Sequence, residues 1–318
     1  MKIIDDLKNY DGKDSISLAI GVFDGVHKGH ARVIGNMVKE AKANDLVPSV
    51  LTFRSTPKWD NHKKWFHLTS FEHKEHLLER IGCKSVFTVS KSDEWFFKMS
   101  PKEFVHEIII KKLKCKSVTV GINFNFGRSR VGSIDDLRVL FDESDIKLSV
   151  IDMMKEDDTV ISSSLIKQFI EKNSFELASR YLGRYYSIGG TVVKGLGLGA
   201  KIGIPTANLD ISDETIPMNG IFVCVVKSDT IDGVLHGLVS VGTNPTVSEN
   251  SFQKVEVHIL DFKKDLLGDF VEIYPIEKIR DTKKFPSMQD LKLAIEKDIK
   301  HATHFFNTQH IDYEQLIK

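Results

Sequence analysis

Two imidazoles three residues apart, His27 and His30, close the stretch Gly21-Val-Phe-Asp-Gly-Val-His-Lys-Gly-His30. At a helix start, side chains with that spacing face the same way. A helix start also presents unbonded N–H groups and the positive end of the peptide dipole, which attract anions. Gly21, Gly25 and Gly29 remove side chains where the backbone must bend or let a phosphate come close. These residue types describe a site for a nucleoside triphosphate, with two imidazoles on the phosphates. The flanks fit. Ser15–Ile20 is an apolar run that reads as a buried strand, and Val33, Met37 and Val38 keep helical spacing. A strand-to-helix turn is where open α/β sheets bind ligands. A metal site is the weaker alternative, because no cysteine or third spaced ligand accompanies the pair.

Three further pieces suit the same edge of such a sheet. Thr52-Phe-Arg-Ser-Thr-Pro57 ends a strand, and Gly121-Ile-Asn-Phe-Asn-Phe-Gly-Arg-Ser-Arg130 follows another and brings Arg128 and Arg130. Ile161-Ser-Ser-Ser-Leu-Ile-Lys167 opens a helix, where Ser162, Ser163, Ser164 and Lys167 make a second anion clamp. Taken alone, the serines are ordinary helix caps and the arginine loop an ordinary charged turn.

A second dense stretch is Lys194-Gly-Leu-Gly-Leu-Gly-Ala-Lys-Ile-Gly-Ile-Pro-Thr-Ala-Asn-Leu209. Its glycines do not keep dinucleotide spacing, and Pro205 blocks the helix that should follow. The pattern reads as a flexible loop feeding a rigid Pro-Thr-Ala-Asn turn. Thr206 and Asn208 point one way if extended and offer hard oxygens suited to Mg²⁺. Downstream, Val255, Val257 and Ile259 alternate with Glu256 and His258, so the polar pair shares one face of a strand. A carboxylate on a rigid strand is a fit general base.

The elements that must hold these groups fall into two sets. Strand patterns at Ser15–Phe23, Pro48–Phe53, Lys84–Ser90, Lys116–Gly121 and Lys147–Met153 alternate with helical ones at Phe71–Arg80 and Pro101–Ile110. Ser100, Pro101 and Glu103 make a capping box with a first-turn proline. This alternation predicts a doubly wound parallel sheet. After Leu182 the pattern becomes short strands at Ser187–Val193, Gly220–Val226, Gly237–Val241, Lys254–Asp261 and Phe270–Tyr274. Turn signals at Asp232-Gly233 and Asn244-Pro245 separate them, which predicts a small β-barrel. A last helix from Met288 to Phe305, capped by Ser287, lines up Leu291, Ala294, Ile295 and Ile299. The division falls between residues 1–182 and 183–318.

Composition sets the bounds. The chain has 318 residues, 41% hydrophobic and 28% charged, enough for two globular domains. Lys+Arg 44 balances Asp+Glu 44, which argues against nucleic acid as the main partner. Cys83, Cys115 and Cys224 are far apart and suggest a reducing compartment. No leader-like or membrane-spanning apolar run is present, so a cytoplasmic protein without a membrane partner is expected. Oligomeric state is left open.

GVFDGVHKGH with a later ISSSLIK resembles the HxGH nucleotidyltransferase superfamily, and within it the adenylyltransferase half of bifunctional riboflavin kinase/FAD synthetases. GIPTANL, IPMNGIF, SVGTNPT, VEVHILDF and the terminal helix resemble the riboflavin kinase half, so the likeness runs from about Ser15 to His301. It implies a nucleotidyltransferase Rossmann-like sheet followed by a six-stranded Greek-key barrel with a C-terminal helix. It implies small-molecule substrates: riboflavin, FMN and ATP, with Mg²⁺. By the resemblance, His27 and His30 hold the ATP phosphates and stabilise the α-phosphoryl as pyrophosphate leaves. Gly21, Phe23, Asp24, Gly25, Gly29, Ser162, Ser163, Ser164 and Lys167 bind that nucleotide, and Asn123, Asn125 and Arg128 the flavin. In the kinase half, Thr206 and Asn208 bind Mg²⁺ and phosphates beside Gly199, Lys201 and Pro205. Glu256 deprotonates the ribityl hydroxyl, and Arg280 and Phe285 close over the flavin. The chain departs from the family pattern at Thr56, Asn123, Lys167 and Ala200. Two alternatives therefore stand beside the bifunctional enzyme: a kinase with weak or absent adenylyl transfer, and a flavin- or nucleotide-binding regulator without turnover.

Overall fold

The structure is a computed structural model describing residues 1–54, 66–211, 216–243 and 253–316. Thr56, Pro57 and the Asn244-Pro245 turn lie outside the described residues. The chain divides into two compact units, Met1–Lys63 with Lys74–Ser162, and Lys64–His73 with Ser163–Lys318.

The first unit is built on a parallel sheet of β1 (Lys2–Ile4), β2 (Ile16–Ile20), β3 (Val47–Phe53), β4 (Ser85–Val89), β5 (Cys115–Gly121) and β6 (Lys147–Ile151). Their order is β1-β4-β3-β2-β5-β6, and every adjacent pair is parallel. The edge strand β1 is absent from the sequence expectation, because three residues are too few for an apolar run to stand out. All of β2 is buried, as a central parallel strand covered on both faces must be. Leu18 and Ile20 pack with Val118, Val120 and Phe141 on one face. Ala19, Val50 and Val86 meet Ile34, Met37 and Leu78 on the other. The chain winds one way from β2 and the other way from β5, so the carboxyl end of β2 lies at the switch point.

Helix α1 (Lys28–Ala43) follows β2, and α2 (Phe71–Ile81) precedes β4. After α3 (Glu94–Lys98), the predicted capping box is formed. Ser100 Oγ accepts from the Glu103 N–H, and the Glu103 carboxylate accepts from the Ser100 N–H at 2.7 Å. The predicted α-helix after it is corrected. Only α4 (Pro101–Glu103) is α-helical, and Phe104–Lys112 forms a π-helix, with Leu113 N–H donating to Ile108 O at 2.9 Å. Phe104, Val105, Ile108 and Ile109 come as two adjacent pairs, and in this wider turn all four are buried. Helix α5 (Ile134–Asp142) and a hairpin of β7 (Lys155–Glu156) and β8 (Thr159–Val160) complete the unit.

The second unit opens with α6 (Ser163–Glu171) and α7 (Phe175–Leu182), which ends on Gly183 in the left-handed region at φ 80°. A closed barrel follows, of β9 (Ile188–Val193), β10 (Ala207–Leu209), β11 (Gly220–Ser228), β12 (Ile231–Thr243), β13 (Gln253–Ile259) and β14 (Phe270–Arg280). The antiparallel run β14-β11-β12-β13 is a Greek key, with β10 and β9 closing the ring. Two sequence readings are corrected. The Pro-Thr-Ala-Asn turn runs directly into strand β10, and Asp232-Gly233 lies inside β12 rather than between strands. The hairpin turns at residues 229–230, where Ser228 pairs with Ile231. Residues 66–73 fasten to the barrel. The Glu72 carboxylate accepts from Thr191 Oγ1 at 2.6 Å, and His73 Nε2 lies 3.1 Å from Glu272 Oε1, both side chains of that pair buried.

Helix α8 (Leu198–Lys201) sits in the glycine loop, and α9 (Met288–Thr308) and α10 (Tyr313–Leu316) end the described chain. Ser287 caps α9 as expected, and Leu291, Ala294, Ile295 and Ile299 are half-buried along it. Among the described residues no helix is long and apolar enough to cross a membrane.

Candidate functional site

In the first unit the turn after β2 is wound tightly. Phe23, Gly25 and Val26 all hold positive φ, at 52°, 79° and 40°. For a β-branched valine that conformation is costly and persists only where the surroundings enforce it. Val26 N–H donates to Phe23 O at 3.2 Å, closing the loop just before α1. His27 is the N-cap of α1, and its Nδ1 accepts from His30 N–H at 3.3 Å. That bond leaves the neutral ring's proton on Nε2. The two imidazoles stack with centroids 3.6 Å apart and planes 17° apart, and Phe23 meets His30 edge-on at 5.3 Å.

The glycines explain how this is possible. A Cβ on Gly29 would lie 3.2 Å from His27 Cε1, and one on Gly21 would lie 2.9 Å from the Phe23 ring. Asp24 is buried under the turn. Lys28 is turned aside to Glu156 at 2.8 Å. The turn thus brings a helix N-terminus and two stacked imidazoles together, with His27 itself buried, a geometry suited to an anion.

The loop after β5 places Asn123, Asn125 and Arg128 at the surface. Asn125 Nδ2 donates to Asn123 O at 2.9 Å, and Arg128 N–H donates to Met99 O at 2.7 Å. Ser129 and Arg130 there also have positive φ, 56° and 59°. Ser162 closes the first unit, whereas Ser163, Ser164 and Lys167 open α6 in the second.

In the second unit the sequence-predicted residues converge on β10 and β13. Asn208 pairs directly with Glu256, and Glu256 pairs on its other side with Ser240 of β12. Val255, Val257 and Ile259 fill the barrel, so half-buried Glu256 and His258 share the outer face, as the alternation predicts. The glycine loop is folded against the Thr206 and Asn208 side chains. A Cβ on Gly195 would lie 2.2 Å from Asn208 Nδ2, and one on Gly199 would lie 2.3 Å from Ile204 O and 3.3 Å from Thr206 Oγ1. Lys201 ends α8 in the same loop, exposed. His258 Nδ1 lies 2.7 Å from Pro205 O, so its N–H fastens the Pro-Thr-Ala-Asn turn to β13. Asn208 and Glu256 therefore share one face of the strand pair, and the side-chain oxygens of Thr206 and Asn208 are hard donors of the type Mg²⁺ takes.

Arg280 is engaged elsewhere. Its Nε and Nη2 donate to the buried Asp298 carboxylate of α9 at 3.0 and 2.7 Å, and its guanidinium carbon lies 5.6 Å from the Phe285 ring centre. The sequence gives no sign of Ser240, whose place beside Glu256 depends on strand order rather than on a motif.

A parallel sheet with a histidine-capped glycine turn, joined in sequence to a Greek-key barrel with a Thr-x-Asn segment opposite a strand glutamate, is the architecture of a nucleotidyltransferase linked to a flavokinase-type barrel. Residues 11–165 match the family described as FAD synthetase, and residues 182–306 match the riboflavin kinase family. The bifunctional riboflavin kinase/FMN adenylyltransferase of Haemophilus influenzae is 32% identical over 92% of this chain and 94% of its own length. That of Bacillus subtilis is 32% identical over 91% and 92%. A crystal structure described as a macrolide-efflux protein from Streptococcus pneumoniae superposes with a TM-score of 0.73 and 28% identity, covering 97% of this chain and 99% of that one. The chain belongs to the bifunctional riboflavin kinase/FMN adenylyltransferase family.

Proposed function

We propose that the chain runs two ATP-dependent transfers in sequence. Riboflavin and ATP give FMN and ADP on the barrel, and FMN and a second ATP give FAD and pyrophosphate at the HxGH turn. The kinase step is assigned to residues 183–318 and the adenylyl transfer to 1–182. Membership of a family in which both domains are present supports the pair of activities.

The observation that carries the kinase is the register of Asn208 against Glu256. Glu256 takes the proton from the ribityl 5′-hydroxyl, whose oxygen attacks the γ-phosphorus while the bond to the β–γ bridging oxygen breaks and ADP leaves. Thr206, Asn208 and the loop amides around Gly199 hold the phosphates, with Lys201 adding charge. Mg²⁺ held by Thr206 and Asn208 would neutralise charge on the transferring phosphoryl group. Arg280, through its ion pair with Asp298, fixes the segment that brings Phe285 toward the flavin.

At the other site an FMN phosphate oxygen attacks the α-phosphorus of ATP and pyrophosphate departs. His27 and His30 stabilise the charge that builds there, and the backbone around Gly21, Phe23, Asp24, Gly25 and Gly29 orients the nucleotide. Ser162, Ser163, Ser164 and Lys167 are assigned to the nucleotide, and Asn123, Asn125 and Arg128 to the flavin. Free buried thiols at Cys83, Cys115 and Cys224 support a reducing, cytoplasmic setting.

Incubation of the purified protein with riboflavin, ATP and Mg²⁺, followed by chromatographic separation of flavins, tests the proposal. FMN and FAD are the expected products. FMN alone supports the single-activity kinase, and neither product removes the catalytic reading.

A further inference from the structure

The buried ammonium of Lys74 has no place in either transfer as described. Its side chain is on α2, in the first unit, and the residue is only 6% exposed. Nζ donates to Phe53 O at 2.9 Å, to Val22 O at 3.3 Å and to Thr52 Oγ1 at 3.4 Å. Thr52 Oγ1 in turn donates to Val22 O at 3.0 Å. One cation therefore joins the second residue of the GVFDGVHKGH stretch to the last two residues of β3.

The location is informative. Val22 O belongs to the peptide that enters Phe23, the first of the three positive-φ residues in the turn. A non-glycine residue enters that region only if its preceding peptide is held. Lys74 and Thr52 both hold it, through the same carbonyl oxygen. Placing an ammonium out of water is expensive. A neutral donor would staple two strands at less expense.

We infer that Lys74 is a positioning residue for adenylyl transfer: it sets the Val22–Phe23 peptide, and with it the phosphate-binding turn. The inference rests on reading that turn as the adenylyl-transfer site. Its residue types are not those of the HxGH signature, and its effect is exerted through Val22 rather than on the substrate.

The test uses the full-length protein with Lys74→Met, Lys74→Gln and Lys74→Arg, measuring FAD formation from supplied FMN and FMN formation from riboflavin. Thermal unfolding is followed on the same preparations. Lys74→Met is expected to lower kcat for FAD at least 30-fold with KM for FMN within threefold, while the kinase rate stays within twofold. Lys74→Arg is expected to recover at least a tenth of the lost rate, because it restores charge and donors. If Lys74→Met does not fold, Lys74→Gln reads the same split with one donor kept. A kcat for FAD within threefold of the parent overturns the inference, as does a parallel loss of both activities with a lowered melting temperature. A parent protein that makes FMN but no FAD overturns the underlying reading of the turn as well.

Discussion

Asn208 and Glu256 stand directly opposite each other on neighbouring antiparallel strands, β10 and β13. Side chains in that relation project from the same face, with Cβ atoms about 4.5–5.5 Å apart. The proposed phosphate-binding loop and the proposed base are thus fixed by one stretch of backbone pairing. Glu256→Gln is expected to lower FMN formation by about 10²–10⁴-fold, the usual worth of a general base. FAD formation from supplied FMN should be untouched. Asn208→Ala should instead raise the Mg²⁺ concentration needed for half-maximal kinase rate, read by titrating the metal at saturating ATP.

Gly29 separates stability from activity. It lies in the first turn of α1, where alanine is the better helix former by about 1 kcal/mol. Yet a Cβ there meets His27 Cε1 at 3.2 Å and Nδ1 at 3.3 Å. Gly29→Ala should leave the melting temperature equal or higher while FAD formation falls about tenfold, the rate ratio that 1.4 kcal/mol of lost transition-state stabilisation gives. Kinase activity serves as the internal control.

His258 holds the Pro205 carbonyl and does not face the reacting atoms through that bond. Losing one hydrogen bond of about 1 kcal/mol loosens the turn that carries Thr206 and Asn208. For His258→Ala, KM for ATP in FMN formation should rise about fivefold with kcat changed less. His258→Asn, which keeps a short-range donor, should recover part of it. Equal losses in kcat and KM would contradict this division.

The carboxyl-terminal helices are secured by a titrating group. His236 of β12 stacks on Phe306 at 3.9 Å, and its Nε2 lies 2.7 Å from the Tyr313 hydroxyl. Burial pushes the His236 pKa below its ordinary 6.5, so the folded protein binds a proton there less readily than the unfolded chain. Stability from this site is complete above pH 6.5 and declines as pH falls through the lower, folded value. Urea unfolding between pH 5 and 8 should show that decline, and His236→Phe should flatten it.

Much of the site is legible in the sequence because local rules place it. His27 caps a helix, Glu256 and His258 alternate with core valines, and Ser100 and Ser287 cap where spacing says they should. The strands β1 and β10 are not legible, since three-residue segments carry no period. The π-helix at Phe104–Lys112 is hidden because its apolar pairs suit an α-helix nearly as well. Lys74 reads as one charge among several in an amphipathic helix. Only the packing of α2 against the end of β3 shows that it points inward.

The parallel sheet and the barrel differ in how they end. The barrel is a closed ring in which each described strand bonds to a neighbour on both sides. The parallel sheet stops at β1 and β6. β1 has three residues, whereas β6 has five, all but its first half-buried. Lys147, the first residue of β6, is tied by its side chain to Glu40 at 2.8 Å. Among the described strands β6 is therefore the longer open border, the one on which strand addition and self-association on heating would start.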